Sequence, residues 1–466
     1  MDQVINVAVN YPLYQTFKYL VPRSLGKVSI GGRVLVPFGK KTIVGIVIKK
    51  EKYVWKDKID YKLKSTINLI DDYGLVSPEI MKICTWASDY YEYPIGQVLF
   101  GALPSQIKQG IAVSNIKIFQ SEYKKLSKNE LKINLNHEQK MIFRGINKNI
   151  DSFSTSLIHG VTGRGKTEVY IKLAKEVTSK NKQVLIIVPE INLTPQTIKR
   201  FETYIDKRIQ SYHSGHTTKD KVTTWINARD GKLDIVIGTR SSIFLPFKSL
   251  GLIIIDEEHD ASLKQQEKFK YHARDLSIMR AKNLNIPIVI GSATPSFESL
   301  HNVSLEKFKK YNLTKRYHKV DLPEITLVDL NKDLPEHGIS KYLKDAIIKN
   351  LNNNKQSLLY IGRRGYSHAL TCLECGWISR CKICESFMTY HKNQKILKCH
   401  HCGNFQSVSI NPGTCDKCNL VPVGFGTQRI EDKIKELFPR AKVLRIDSDA
   451  ISSLKKLKDF IDKAKN

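Results

Sequence analysis

Apolar and polar positions change texture near residue 136. Before it, VAVNY, FKYLV, GGRVLVPF and KTIVGIVI are short apolar stretches punctuated by Gly31, Gly32 and Pro37. Such a pattern predicts a small β-rich domain over residues 1–105. PEIMKICTWASDYYEY (78–93) carries Ile80, Ile83, Cys84 and Ala87 at i, i+3, i+4 and i+7, which predicts a helix with a core-facing stripe. Residues 106–135 are polar and read as a connector. From 136 onward, SLIH, QVLIIVP, IVIGT, GLIIID and IPIVIG alternate with helical patterns. Runs this apolar fit strands buried on both faces, and their spacing predicts βαβ units in a parallel-sheet lobe over 136–330. A second lobe is expected over 331–371 and 419–466. Its strands near 341–360 end in SLLYIG, a cysteine block at 372–418 interrupts it, and VPVGFGT to VLRIDSD resumes it. No solenoid repeat is visible.

Composition narrows the class. Of 466 residues, 41% are hydrophobic, enough for packed cores. No apolar run approaches the ~20 residues that span a bilayer. The opening MDQVINVAVNYPLY lacks a basic segment followed by an apolar one, so no signal peptide is expected. Eight of nine cysteines cluster between 372 and 418, which points to a cytoplasmic, metal-bound module rather than secreted disulfides. The formal net charge of +30 fits a nucleic-acid partner or simply a Lys-rich surface. Charge alone leaves both open.

The chemistry begins at GVTGRGKT (160–167), which satisfies G-x-x-x-x-G-K-[ST] between an apolar strand and a helical pattern. Gly160, Val161, Thr162, Gly163, Arg164, Gly165, Lys166 and Thr167 are thus expected to hold ATP. Backbone N–H groups would curl around phosphate, Lys166 would reach the β- and γ-phosphates, and Thr167 would offer its hydroxyl to Mg²⁺. Gln139 is assigned to the ATP site as well. GLIIIDEEHD (251–260) is a buried strand ending in acid: Asp256 is expected in the Mg²⁺ shell and Glu257 as the residue that orients and deprotonates water. GSATPS (291–296) places Ser292 and Thr294 near the same sheet edge, as do IVIGTRSSIF (235–244) and PEINLTPQ (189–196) for their loops. Hydroxyls and N–H groups there suit phosphate-backbone contacts. In this order the stretches look like the DExH branch of superfamily-two helicases.

Four C-x-x-C pairs follow. Each tight turn presents two thiolates, and two turns complete a tetrahedral four-sulfur site, so eight cysteines imply two Zn²⁺. A ribbon-like spacing pairs Cys381 and Cys384 with Cys399 and Cys402. The outer Cys372, Cys375, Cys415 and Cys418 then hold the other ion. His400 and His401 are left as surface or DNA-contacting residues, and Cys84 as ordinary core.

The chain resembles the primosomal replication-restart helicases. The resemblance rests on TFKYLVP, RVLVPFGK, WASDYYEYPIGQVLF, GVTGRGKTEVY, VPEINLTPQT, IVIGTRSSIF, DEEHD with KQQE and YHARDL, GSATPS, RRGYS, the four C-x-x-C pairs and GFGTQRIE. It implies an α/β protein with RecA-like parallel-sheet lobes, the second incomplete. A β-rich N-terminal DNA-binding domain and an inserted two-zinc module complete it. The module would contact DNA and other primosome proteins, with single-strand-binding protein a further family partner. The first hundred residues would bind the 3′ end of a nascent strand, through positions that match Phe17, Gly39 and Lys64. Lys18 stands where the family has Asp. QQEKFKYHARD (265–275) matches an aromatic loop that senses single-stranded DNA and signals to the ATP site; Phe269 and Tyr271 are present, and Leu263 stands where an aromatic is common. Arg164 replaces a usual small Ser. A winged-helix domain, frequent in the family, does not fit within 106–135.

The function so implied is an ATP-dependent, 3′-to-5′ DNA helicase that recognises stalled forks and initiates primosome assembly. An RNA-acting DExH ATPase is argued against by the zinc block and the N-terminal domain. No Q-x-x-G-R-x-G-R stretch, which carries the family's arginine finger, occurs in these 466 residues. The alternative expectation is therefore a truncated, helicase-deficient scaffold that keeps DNA, zinc and ATP binding.

Overall fold

The structure, a computed structural model, describes residues 3–52, 63–116, 133–161, 165–189, 195–314, 323–330, 332–333, 335, 338–361, 369–372, 375, 377–391, 396–407, 420–423, 427–446 and 460. The chain divides into two compact units, 1–321 and 322–466. Among the described residues, no helix is long and apolar enough to cross a membrane.

The first unit opens with β1 (Gln3–Val9), β2 (Phe17–Val21), β3 (Arg33–Phe38), β4 (Lys41–Lys52) and β5 (Asn68–Leu69), in the antiparallel order β2-β1-β4-β3-β5. Residues 64–67 tie the two edges together. The Leu20 N–H donates to the Lys64 carbonyl at 3.0 Å, the Thr66 N–H to Leu20 at 2.8 Å and the Ile67 N–H to Leu35 at 2.9 Å. The sheet therefore curls on itself, and its edges find partners. Alternating residues fill the interior: Ile5, Val7, Val9, Val34, Val36 and Val47 form one cluster.

Helix α1 (Pro78–Tyr90) starts where expected. The Ser77 hydroxyl caps the Ile80 N–H at 3.3 Å, proline occupies the first turn, and the buried stripe is Ile80, Ile83, Cys84 and Ala87. Burial pushes the Cys84 thiol far above its ordinary range, so it stays an inert core thiol. Helices α2 (Ile95–Gly101) and α3 (Ser105–Lys108) follow. The start of the expected connector is not a connector. Arg33, fully buried, pairs with Asp71 through two 2.7 Å bonds and donates to the carbonyls of Ile107 (2.6 Å) and Ile111 (3.0 Å). A buried guanidinium needs all its donors satisfied, and these carbonyls belong to the 105–116 segment, which is thereby fixed to the N-terminal domain. The remainder, 117–132, lies outside the described residues.

The lobe contains α4 (His137–Asn147), β6 (Thr155–His159), α5 (Lys166–Ser179), β7 (Gln183–Ile187), α6 (Pro195–Tyr204), β8 (Ile209–Tyr212), α7 (Thr218–Arg229), β9 (Ile235–Gly238), β10 (Leu250–Ile255), α8 (Ala273–Leu284), β11 (Ile288–Ser292), α9 (Phe297–Ser304) and β12 (Phe308–Asn312). Its seven strands, ordered β12-β6-β11-β10-β7-β9-β8, pair in parallel throughout. β10 and β7, near the centre, are buried at every position, as their apolar runs require. β8 and β12 escaped the pattern because IQSY and FKKYN are half-polar edge strands.

The second unit contains α10 (Lys341–Asn352), β13 (Ala369–Cys372), β14 (Thr389–His391), β15 (Ile396–Lys398), β16 (Phe405–Ser407), β17 (Leu420–Val423) and α11 (Thr427–Leu437). Two expectations fail here. The segment 341–352 is a helix, capped by the Ser340 hydroxyl, with Leu343 and Ile347 facing Ile430, Ile434 and Phe438 of the α11 region. A spacing of four outweighed the apolar content that suggested strands. VPVG does not resume a parallel sheet: Leu420–Val423 runs antiparallel to Ala369–Cys372 and closes the base of the cysteine block. The described residues of this unit contain no parallel sheet.

Candidate functional site

The carboxyl edge of the parallel sheet gathers the motif residues. α4 carries a capping box with Asn136. The Gln139 side chain accepts from the Asn136 N–H at 2.8 Å and donates to the Gly165 carbonyl at 3.0 Å. Both polar atoms of buried Gln139 are thus engaged in fixing the end of the phosphate loop. Gly165 has φ +86°, and a Cβ there would lie 2.2 Å from the Gln139 amide nitrogen. Only glycine serves at that position. Val161 precedes Thr162, Gly163 and Arg164, which lie outside the described residues; Thr167 is the second residue of α5.

Lys166 is nearly buried, 7% exposed, and its ammonium donates to the Gly160 carbonyl and to Glu257 Oε1, both at 3.0 Å. The Gly160 N–H donates to the Ser292 carbonyl at 3.1 Å. From Glu257 the contacts run onward. His259 Nδ1 lies 3.6 Å from Glu257 Oε2 and 2.7 Å from the Ser292 hydroxyl, and that hydroxyl accepts the Thr294 N–H at 3.1 Å. Lys166, Glu257, His259, Ser292 and Thr294 form one polar chain across three strand ends.

Asp256 sits one residue away, half-buried, and accepts the Tyr170 hydroxyl at 3.0 Å. Burial first, and the neighbouring Glu257 charge second, push its carboxyl above the usual range, while Lys166 and Tyr170 pull it back. Burial and the Asp256 charge also raise Tyr170, which stays a protonated donor. A half-buried carboxylate one residue from a lysine-paired one suits a divalent cation with phosphate oxygens.

Sequence reasoning missed several members. Tyr170 lies four residues after Lys166, on the same helical face, which was a usable signal. Glu258 is almost fully buried and accepts from the Ser296 N–H at 2.7 Å, the Ser296 hydroxyl at 3.0 Å and Arg274 at 3.1 Å; Arg274 also donates to the Ser296 hydroxyl at 2.7 Å. Arg274 stands inside the YHARDL stretch, but that stretch does not disclose its partners, which lie 16 and 22 residues away.

Phe269 and Tyr271, expected to present rings to bases, are only 7% and 6% exposed. They pack with each other, with Phe244 and with Tyr91 and Tyr93. Leu263 is also buried.

In the N-terminal domain, Phe17 meets Phe38 edge-on at 5.1 Å, next to Gly39, whose φ is +58° with open space around it. Lys64 is exposed, and its carbonyl joins Leu20 at the same side of the sheet. Lys18 pairs with Glu51 at 3.1 Å, and the two lysines Lys18 and Lys49 hold the Glu51 carboxyl below its ordinary range.

The Sγ atoms of Cys381, Cys384, Cys399 and Cys402 all lie within 4.8 Å of one another, with Cys381–Cys402 at 3.5 Å and Cys384–Cys399 at 3.4 Å. Two matching turns bring them together. The Glu385 N–H donates to the Cys381 carbonyl and the Gly403 N–H to the Cys399 carbonyl, each at 2.9 Å, and Glu385 and Gly403 both take positive φ. Sulfurs around a tetrahedral zinc, with Zn–S of about 2.3 Å, sit roughly 3.8 Å apart, so this set fits. Cys372 is buried and Cys375 exposed. Cys415 and Cys418 lie outside the described residues. His400 lies exposed, its Nε2 3.3 Å from that of His391.

Residues 6–104 match the family described as 3′DNA-binding domain (3′BD), residues 136–303 the DEAD/DEAH box helicases, and residues 381–406 the PriA DNA helicase Cys-rich region (CRR) domain. Replication restart protein PriA of Haemophilus influenzae is 35% identical over 530 residues, covering 99% of this chain and 72% of that protein. The Rickettsia conorii protein of that name is 37% identical over 470 residues, covering 99% and 69%. That of Bacillus subtilis is 36% identical over 345 residues, covering 72% and 42%.

Proposed function

The chain belongs to the PriA replication-restart family of DNA helicases, and from that membership we propose an ATP-dependent helicase moving 3′-to-5′ on DNA. It recognises stalled or abandoned replication forks and begins primosome assembly there, with other primosome proteins and single-strand-binding protein as partners. Residues 1–105 take the nascent 3′ end, with Phe17, Gly39 and Lys64 lining the contact. The observation that carries the proposal is the polar chain from Lys166 through Glu257 and His259 to Ser292. It links the phosphate loop, the acidic motif and the Ser-Ala-Thr motif, the three parts that an ATP-driven motor has to couple.

Each residue has a task that its surroundings favour. Lys166, balanced by Glu257, exchanges that partner for β- and γ-phosphate oxygens. Glu257, so released, orients and deprotonates the attacking water. Asp256 and Thr167 would hold Mg²⁺, which when bound neutralises developing phosphate charge. Ser292 and Thr294 report the state of Glu257 to the DNA-binding loops through His259. In the cysteine module, Cys381, Cys384, Cys399 and Cys402 hold a structural zinc, and Cys372, Cys375, Cys415 and Cys418 a second.

The test is ATP hydrolysis with and without branched DNA, with labelled forks followed for strand separation in parallel. Hydrolysis stimulated by DNA and not by matched RNA supports the proposal. No DNA stimulation on any fork would overturn it.

A further inference from the structure

The N-terminal domain and the lobe meet at residues 265–275, within the first unit. Glu79 of α1 grips buried Arg280 of α8 at 2.5 and 2.9 Å, and Arg280 also donates to the Leu245 carbonyl at 2.8 Å. That pairing sets α1 firmly against α8. Just beyond α1, Tyr91 meets Phe269 edge-on at 5.8 Å, and Tyr93 meets the same ring at 5.3 Å. The Tyr91 hydroxyl accepts the His272 N–H at 3.1 Å. Phe269 then packs on Tyr271 at 5.0 Å, and Tyr271 edge-on against Phe244 at 5.2 Å.

We propose that Tyr91 is a positioning residue that latches the 265–275 loop in its buried form, so that the N-terminal domain sets how readily single-stranded DNA engages the motor. This rests on the loop being the sensor of single-stranded DNA. An aromatic side chain stacks on a base only through an exposed face. With Phe269 and Tyr271 buried, neither offers one. Opening the loop takes Phe269 from two aromatic partners and deprives the His272 N–H of its acceptor.

Other contacts connect the latch to the reacting end. His272 caps α8 by accepting the Arg274 N–H at 3.2 Å, and Arg274 donates to Glu258 in the acidic motif and to Ser296 beyond the Ser-Ala-Thr motif. A displaced loop therefore pulls on the two motifs at once. The closed form also holds opposing elements. Lys268 adopts φ +56°, a region that side chains rarely occupy. Lys108 of α3 is held below the usual lysine range by burial first and by the repulsive Lys268 charge second. The latch thus works against strain and repulsion, as a releasable contact should. Because coupling is reciprocal, DNA on the loop must weaken the hold of Tyr91 to the same degree that Tyr91 weakens DNA binding.

The experiment measures ATP hydrolysis against the concentration of an oligothymidylate with a blocked 3′ end, for the wild type, Tyr91→Ala and Tyr91→Phe. Loss of the ring contact and the hydroxyl together should lower the half-saturating DNA concentration roughly tenfold, with the saturated rate unchanged. Tyr91→Phe, which keeps the ring, should lower it by about threefold. Unchanged half-saturation in both variants overturns the latch. So does a reduced saturated rate at unchanged half-saturation, the signature of a mere structural prop. Deuterium uptake by residues 264–276 without DNA gives an arm independent of hydrolysis: it should rise in Tyr91→Ala, and equal uptake would overturn the latch. A wild type whose hydrolysis ignores DNA counts against the proposed function itself, and the uptake arm still decides whether Tyr91 holds the loop.

Discussion

At the scale of single residues, the site is a set of charges that satisfy one another. Lys166 contributes its ammonium to Gly160 and Glu257. Lys166→Ala should abolish hydrolysis and leave DNA affinity largely intact, because DNA meets other surfaces; steady-state hydrolysis and equilibrium binding of one protein sample check both halves. Asp256 allows a test by pH. Its carboxyl titrates above the ordinary range because it is buried beside Glu257, and Tyr170 opposes the shift by donating to the ionised form. Removing that donor raises the carboxyl further. Tyr170→Phe should therefore move the acid limb of the pH–rate profile to higher pH. A limb that stays in place, or moves to lower pH, would show that Asp256 does not control it.

At the scale of elements, two polar devices hold pieces together. The Glu79–Arg280 pair spans 201 residues and fixes α1 to α8. Glu79→Ala leaves a fully buried guanidinium without its carboxylate, which should cost on the order of 3–5 kcal/mol and appear as a lower melting temperature. The cysteine turns are the second device. Cys384→Ser should remove the metal from the Cys381–Cys402 site, and the amides of β14–β16 should lose their protection against exchange. Metal content and exchange measured before and after chelation check this. Retention of all bound metal by the variant would contradict the assignment of Cys384.

At the scale of the whole molecule, the excess of 75 basic over 45 acidic residues should dominate DNA affinity. Each phosphate contact releases condensed counterions, so binding should fall steeply with salt, with a log–log slope of about −0.9 per contact on duplex DNA. A titration over a range of salt concentrations gives that slope. A flat response would indicate that the charge is merely a solvated surface.

Much of this was legible in the order of residues. The acidic strand end and the two inner cysteine turns are local devices: neighbours in the chain dictate their shape, so the place of DEEH at the end of an apolar strand and the grouping of the inner C-x-x-C pairs were readable from spacing. The stripe on α1 and the central apolar strands followed equally from periodicity. Where two patterns competed, as at 341–352, only packing against Ile430 and Ile434 shows which prevailed. Tertiary structure alone decided the partnerships. Arg33 meets carbonyls more than 70 residues away, Arg274 bridges two motifs, and Tyr91 reaches His272 across 181 residues. It also buried Phe269 and Tyr271, whose letters suggested rings open to DNA. Composition reports that a ring exists; which surface covers it depends on where distant segments dock, and no local pattern encodes that.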